Sequence, residues 1–206
     1  MPYVEEKGVV AGNVENKYIA TNPIYTRLLQ NFLKKFDTLV EKTDAVSAIE
    51  VGCGEGYLCK RMAQRGMKVK GCDFSEQIIN QAEELNSHPM ISYFARSIYD
   101  MDSEQFTAPL VVCCEVLEHL EDTRLAMFKL RQLTEKWLIL SVPREPLWRI
   151  LNIMRGKYIE NLGNTPGHIQ HWTKNGFLEL IQSYFQVVEV CSPIPWTMVL
   201  GKKRRP

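Results

Sequence analysis

No apolar run in this chain approaches the ~18 residues that a membrane-crossing helix needs, so a helical membrane protein is excluded. The cysteines, six in all at positions 53, 59, 72, 113, 114 and 191, form neither the Cys-x-x-Cys pairs of a zinc site nor the framework of a small disulfide-stapled domain. They read as reduced, mostly buried thiols, and no metal site is expected. An excess of one charge is also missing. Twenty-five Lys plus Arg against 24 Asp plus Glu give a formal net charge of +1. Such a balance leaves no global footprint for nucleic acid or an anionic membrane. Acidic residues in Met1-Pro2-Tyr3-Val4-Glu5-Glu6-Lys7 stand where a secretory leader needs basic ones, so the expected location is cytoplasmic. There is no internal repeat, and the only charge run is Lys202-Lys203-Arg204-Arg205, read as a solvated end.

What is present is a chain of 206 residues, 45% hydrophobic and 24% charged. That is enough to bury a core, and it rules out disorder. Ile24, Leu28, Leu29, Phe32, Phe36, Leu39 and Val40 recur at helical spacing, which predicts an amphipathic helix opened by Asn22-Pro23. Beyond it, strand-like and helix-like runs alternate: strands near 45–51, 69–73, 91–94, 110–114 and 137–142, with helices over 57–65, 75–85 and 124–133 between them. Units of this length imply parallel βαβ crossovers. Pro143 is expected to end the fifth strand. A helix over 147–154, a Gly, Asn and Pro loop over 161–167, and a helix over 173–184 with Thr173 as N-cap come next. Two last strands, near 187–191 and 196–200, follow one another with no helix between and should pair antiparallel. The fold class is therefore α/β: a Rossmann-like, doubly wound, mostly parallel sheet with an antiparallel edge. Residues 1–44 are read as an arm and cap helix, and 45–206 as the sheet domain with an insertion at about 144–172.

In open α/β sheets ligands bind beyond the carboxyl ends of the strands. That directs attention to Glu50-Val51-Gly52-Cys53-Gly54-Glu55-Gly56, where glycines let backbone approach a ligand and N–H groups favour a negative one. The dinucleotide fingerprint would need glycine at 57, where the chain has Tyr57, and the Walker lysine is missing. Both facts weigh against nicotinamide and P-loop chemistry. Asp73, at the end of the second strand, stands where an acid accepts ribose hydroxyls. Singly, Gly54 reads as a turn glycine and Asp73 as a helix N-cap. Together they point to a nucleoside-bearing ligand. Glu50, in the last turn of a buried strand, is costly there without a partner, and a cationic ligand group is one such partner.

This string, with Asp73 and then Cys113-Cys114-Glu115-Val116-Leu117-Glu118-His119-Leu120, resembles the class I S-adenosylmethionine-dependent methyltransferases. Within them it is similar to the small-molecule branch that includes the ubiquinone-biosynthesis O-methyltransferases. Gly167-His168-Ile169-Gln170-His171-Trp172-Thr173 resembles the family's lead-in to its late helix. The resemblance spans about Ala45 to Gly201. It implies a seven-stranded sheet of order 3-2-1-4-5-7-6 with the last strand antiparallel. It also implies S-adenosyl-L-methionine as cofactor and S-adenosyl-L-homocysteine as product. Glu50 would orient the methionine amine, and Gly52, Cys53 and Gly54 would line the methionine moiety. Asp73 would bind the ribose with Phe74 beside the adenine. Ser97-Ile98 replaces the family's acid and small residue at the adenine amino group, and Glu115 and Val116 would line the site near the sulfonium.

Methyl transfer from a sulfonium needs alignment more than covalent help, and proximity supplies ~7–11 kcal/mol of the barrier. With a hydroxyl acceptor, a general base adds ~10²–10⁴-fold. Of the four histidines, His88 precedes Pro89 in a turn away from the strand ends. His119 is read either as a catalytic base or as a structural histidine bonding backbone, and His168 and His171 lie on the 144–172 insertion. The catalytic candidates are His119 and His168. Arg144 reads as a clamp for an anionic acceptor or as a solvated cation. Trp148, Trp172 and Trp196 read as pocket wall or as core, and Tyr18 as part of a lid or of a frayed arm. The expected activity is methyl transfer to an oxygen or nitrogen of a small molecule. The alternatives are a non-catalytic methyltransferase-like binding module, an RNA methyltransferase, which the balanced charge disfavours, and a nicotinamide dehydrogenase, which Tyr57 disfavours.

Overall fold

The structure is a computed structural model that describes residues 4–6, 9–11 and 22–204. A short antiparallel hairpin of β1 (Val4–Glu6) and β2 (Val9–Ala11) pairs Val4 with Ala11. No strand is expected there from the residue pattern. Helix α1 (Pro23–Glu41) is capped by Asn22, whose side chain accepts from the backbone N–H groups of Ile24 and Tyr25. Such a cap contributes ~1 kcal/mol. Its buried stripe, Leu29, Phe32, Leu33, Phe36, Leu39 and Val40, is the face the sequence periodicity marks. Arg61 Nε to Asp37 Oδ1 at 2.7 Å fastens α1 to the next helix.

The main sheet runs through β3 (Ser47–Val51), β4 (Lys68–Asp73), β5 (Ile91–Ala95), β6 (Ala108–Cys114), β7 (Thr134–Pro143), β8 (Phe185–Cys191) and β9 (Trp196–Lys203). Helices α2 (Tyr57–Ala63), α3 (Glu76–Asn86), α4 (Thr123–Leu133), α5 (Leu147–Met154) and α6 (Lys174–Gln182) connect them. The strand order is β5-β4-β3-β6-β7-β9-β8, which is 3-2-1-4-5-7-6 when counted from the first strand of this sheet. Strand β9 is antiparallel to both β7 and β8, and the other pairs are parallel.

Side-chain alternation splits the core between the two sheet faces. Leu110 and Val112 join α1 and α2 on one side, and Val111 and Cys113 join α4 and α6 on the other. Both faces of β6 are covered, which is why this strand reads as a continuous apolar run. Two expectations need correction. Strand β7 starts at Thr134, directly after α4, rather than near 137; it ends at Pro143 as expected, and that residue pairs with Trp196. Lys202 and Lys203 are not a free tail: they extend β9, Lys202 sits 5.2 Å above the Trp137 ring, and Arg204 donates to the Gln182 carbonyl at 2.7 Å. The long β7–β9 ladder recruits the basic residues because their stems cover apolar surface while their heads stay in water.

Candidate functional site

The parallel strands β3, β4 and β6 end on one edge of the sheet, and the loops that leave them form the site. After Val51 the chain turns through Gly52, Gly54 and Gly56, with φ of +72°, +51° and +79°. These are left-handed conformations that L side chains rarely adopt. Gly52 and Cys53 both donate N–H to the Cys72 carbonyl, at 2.8 and 2.9 Å, so the loop is tied to β4. A Cβ on Gly52 would come within 2.3 Å of Val116 Cγ2, and one on Gly56 within 2.2 Å of Tyr93 Oη. Glycine is required at both places by close approach as well as by φ.

Asp73, at the end of β4, is buried. Its Oδ2 accepts from Gly54 N at 3.1 Å and its Oδ1 from Ser75 N at 3.2 Å. Burial pushes its carboxyl pKa up, and the two N–H donors work the other way. The carboxylate thus spans the glycine loop and the start of α3, where Ser75 caps the helix through Ile78 N. Ser75 Oγ also donates to Glu6 Oε2 at 2.5 Å, which places the N-terminal hairpin beside this acid. Phe74, next in the chain, is half-buried. Glu50 is buried in β3, two residues before the loop.

At the end of β6, Glu115 has a φ of +61°, uncommon for a residue with a side chain. Its carboxylate accepts from Ser141 Oγ at 2.8 Å and from Trp196 Nε1 at 2.6 Å. Those bonds hold β6, β7 and β9 together at the rim and account for the strained backbone. Val116 follows, half-buried against Gly52.

The insertion folds back onto the turn after β6. Ile169 and Gln170 donate N–H to the Glu118 carbonyl at 2.9 and 3.0 Å, and Gln170 Nε2 reaches the Leu120 carbonyl. This clamp brings His168 to His119, with ring centroids 4.9 Å apart. His119 Nδ1 donates to the Gly167 carbonyl at 2.9 Å, so the backbone-bonding reading of this histidine holds. Trp148 stacks on His168 with centroids 5.9 Å apart and donates to Thr165 Oγ1 at 2.9 Å.

The structure therefore gathers Gly52, Cys53, Gly54, Asp73 and Val116 at one rim, and joins His119 to His168. Cys53 is buried, and its side chain is part of the core. The adenine-side pair is different: Ser97 Oγ accepts from Tyr99 N at 3.4 Å as a local cap, and Ile98 packs in the core. Arg144 is half-buried and its N–H is bound by the Pro195 carbonyl. His171 Nε2 donates to Asn164 Oδ1 at 2.7 Å, and His88 Nδ1 accepts from Met90 N in its turn. Trp196 is core, edge-on to Phe32 at 5.1 Å. Tyr18 lies outside the described residues. Sequence reasoning gave no role to Glu118, which is buried at 1% exposure beside the two histidines, nor to the Glu6–Ser75 contact. A charged residue within a strand-end run of apolar ones was the available signal for Glu118.

Residues 48–135 match the family model of a methyltransferase domain. The ubiquinone biosynthesis O-methyltransferase of Leptothrix cholodnii is 31% identical over 137 residues, 62% of this chain and 57% of that protein. The chain thus spans less than two thirds of that relative's length. Among solved structures, the magnesium protoporphyrin IX methyltransferase of Synechocystis with bound S-adenosylhomocysteine superposes with a TM-score of 0.67 at 19% identity, over 90% of this chain and 89% of that one. The N-methyltransferase NodS of Bradyrhizobium japonicum gives 0.67 at 15% identity, over 87% and 98%. The sheet order is that of the superposed methyltransferases, and over residues 48–135 the chain is similar to methyltransferase domains. Among curated proteins it is similar to ubiquinone biosynthesis O-methyltransferases.

Proposed function

We propose that the chain transfers a methyl group from S-adenosyl-L-methionine to an oxygen or nitrogen of a small-molecule acceptor, releasing S-adenosyl-L-homocysteine. The observation that carries this reading is the loop of Gly52 and Gly54 tied to β4, with Asp73 bridging it to α3. The residues fit the cofactor. Gly52, with no Cβ, lets Val116 pack directly on the loop, where a Cβ would come within 2.3 Å of Val116 Cγ2. Asp73 keeps further lone pairs for ribose hydroxyls, since each carboxylate oxygen accepts more than one bond. Glu50 supplies negative charge for a methionine amine, Phe74 flanks the adenine with Ser97 and Ile98 beside it, and Glu115 and Val116 close the sulfonium end.

When bound, the cofactor supplies an activated methyl group, which leaves the protein to align the acceptor in line with it. Val116 against Gly52 fixes the wall from which the acceptor approaches. His119 and His168, on the β6 turn and the insertion, assist loss of the acceptor's proton. The arm and cap helix over 1–44 and the insertion over 144–172 shape the acceptor side of the domain over 45–206. Six cysteines with no disulfide among them suit a reducing compartment, and the protein acts in the cytoplasm without nucleic acid as substrate. Among the described residues, no helix is long and apolar enough to cross a membrane.

Equilibrium titration of Asp73→Ala and Gly54→Val with S-adenosylhomocysteine tests the assignment. Each variant, shown folded by circular dichroism, is expected to bind at least about tenfold more weakly, since a hydrogen bond to a charged group contributes ~1.5–3 kcal/mol. Unchanged affinity in both would overturn it.

A further inference from the structure

We propose that Tyr93 is a positioning residue for the cofactor: with Asn86, it holds the far end of the glycine loop where the loop meets the methionine moiety. The inference rests on the methyl-transfer reading, in which Gly52, Cys53 and Gly54 line that moiety. The near end of the loop is tied to β4, through Gly52, Cys53 and Asp73. Its far end, Glu55 and Gly56, leads into α2, which starts without a side-chain cap. Two side chains from later in the chain fix that end.

Tyr93 stands on β5, opposite Gly71 in the β4–β5 ladder, and its ring packs on the side of the sheet that carries α1 and α2. The ring lies across β4 at Gly71, where a Cβ would come within 2.7 Å of Tyr93 Cδ1. From there the hydroxyl reaches the loop. Oη lies 3.0 Å from the Asn86 carbonyl and 3.4 Å from the Gly56 carbonyl, so its one O–H is shared between them. Asn86, the last residue of α3, completes the clamp by donating from Nδ2 to the Glu55 carbonyl at 2.7 Å. These bonds join β5, the end of α3 and the loop.

A phenyl ring would fill the same apolar space, so the hydroxyl is the part that calls for a role. Its acceptors are the last carbonyl of α3, which has no donor within its own helix, and the carbonyl of a loop glycine. Burial pushes the Tyr93 hydroxyl well above the usual tyrosine range, so it stays a donor across the working pH range. Asp73 meets the ribose from the other side of the loop. The clamp therefore acts on the amino-acid end of the ligand and leaves the nucleoside end to Asp73.

The test compares two ligands by calorimetric titration of the full chain: S-adenosylhomocysteine, and methylthioadenosine, which keeps the nucleoside and thioether but lacks the amino acid. Tyr93→Phe and Asn86→Ala, checked for folding by circular dichroism, are each expected to bind S-adenosylhomocysteine about three- to tenfold more weakly, the scale of one hydrogen bond. Affinity for methylthioadenosine is expected to stay unchanged. Tyr184→Phe, which removes a like bond to the Arg124 carbonyl, is expected to leave both affinities as they are. Equal weakening of both ligands would show a general structural role and overturn the inference, as would unchanged S-adenosylhomocysteine affinity in both variants; either result leaves the methyl-transfer reading standing. Amide exchange at Gly52, Cys53, Gly54 and Gly56 in the unliganded protein is a readout that needs no ligand. Tyr93→Phe is expected to speed it and to leave β6 unchanged. Were the parent protein to bind neither ligand, faster loop exchange in Tyr93→Phe would leave the clamp standing while the methyl-transfer reading fell, and unchanged exchange would remove both.

Discussion

His119 and His168 meet edge to face, with ring centroids 4.9 Å apart and planes at 84°, while His119 Nδ1 bonds the carbonyl of Gly167, the residue just before its partner. One short segment of the insertion therefore both orients the first imidazole and delivers the second. The carbonyl accepts only, so His119 must carry a proton on Nδ1 whether neutral or charged.

That geometry fixes a tautomer. Long-range nitrogen–proton spectra at neutral to mildly alkaline pH are expected to show neutral His119 protonated at Nδ1 and bare at Nε2. An Nε2–H tautomer would contradict the clamp between the β6 turn and the insertion.

Gly52 and Val116 form a steric pair whose energetics are separable. Gly52→Ala is expected to cost ~1–2 kcal/mol for the left-handed backbone, plus ~1–3 kcal/mol for overlap with Val116. The nearest Val116 atom to the new Cβ is Cγ2, at 2.3 Å, whereas its Cβ is 3.3 Å away. Val116→Ala in the Gly52→Ala background should recover the overlap part and leave the backbone part. Urea unfolding of the four proteins of this cycle measures both. Strict additivity would show that the two residues do not touch.

Asp73 gives the cofactor affinity a pH dependence with a definite sign. Burial raises its folded-state pKa above the usual 3.8. The uncomplexed fold is therefore least strained by this group at low pH, and loses that contribution as pH rises through the raised value. Ribose hydroxyls donate to the ionised form, so affinity for S-adenosylhomocysteine should move the opposite way. It is expected to be full at neutral pH and to fall as the medium is acidified through the raised pKa. Asp73→Asn should flatten that slope. A flat profile in the parent protein would show that Asp73 does not face the ligand.

The thiols should be silent. All six are buried and none is in a disulfide, and burial pushes those of Cys72 and Cys113 well above the usual range. An aromatic disulfide reagent is expected to label the folded protein at a small fraction of the rate seen in denaturant. Rapid labelling of Cys53 in the folded state would show that the glycine loop opens readily.

Much of this was readable in the sequence, because local rules and tertiary demands agree. The stripe from Leu29 to Val40, the cap at Asn22, the continuous apolar run of β6 and the Thr173 cap each follow from spacing and residue type alone, whereas the cap of α3 is Ser75 and not Asp73. The rim of Gly52, Gly54 and Asp73 was legible because the backbone there demands particular residues. The illegible parts depend on long-range contact. Lys202 and Lys203 look like a tail until β7 pairs with β9, and nothing near Glu115 in the sequence tells that Trp196 bonds its carboxylate. Nothing in the spacing of Glu118, His119 and His168 tells that they meet.

On the reading proposed above, the edge formed by Gly52, Gly54 and Asp73 holds a nucleoside bearing a sulfonium or thioether. Calorimetric titration of the full chain with S-adenosylmethionine, and separately with S-adenosylhomocysteine, tests it without knowledge of the acceptor. One site per chain is expected, with micromolar affinity, roughly −8 kcal/mol, weakened at least about tenfold in Asp73→Ala. No binding of either ligand would contradict it.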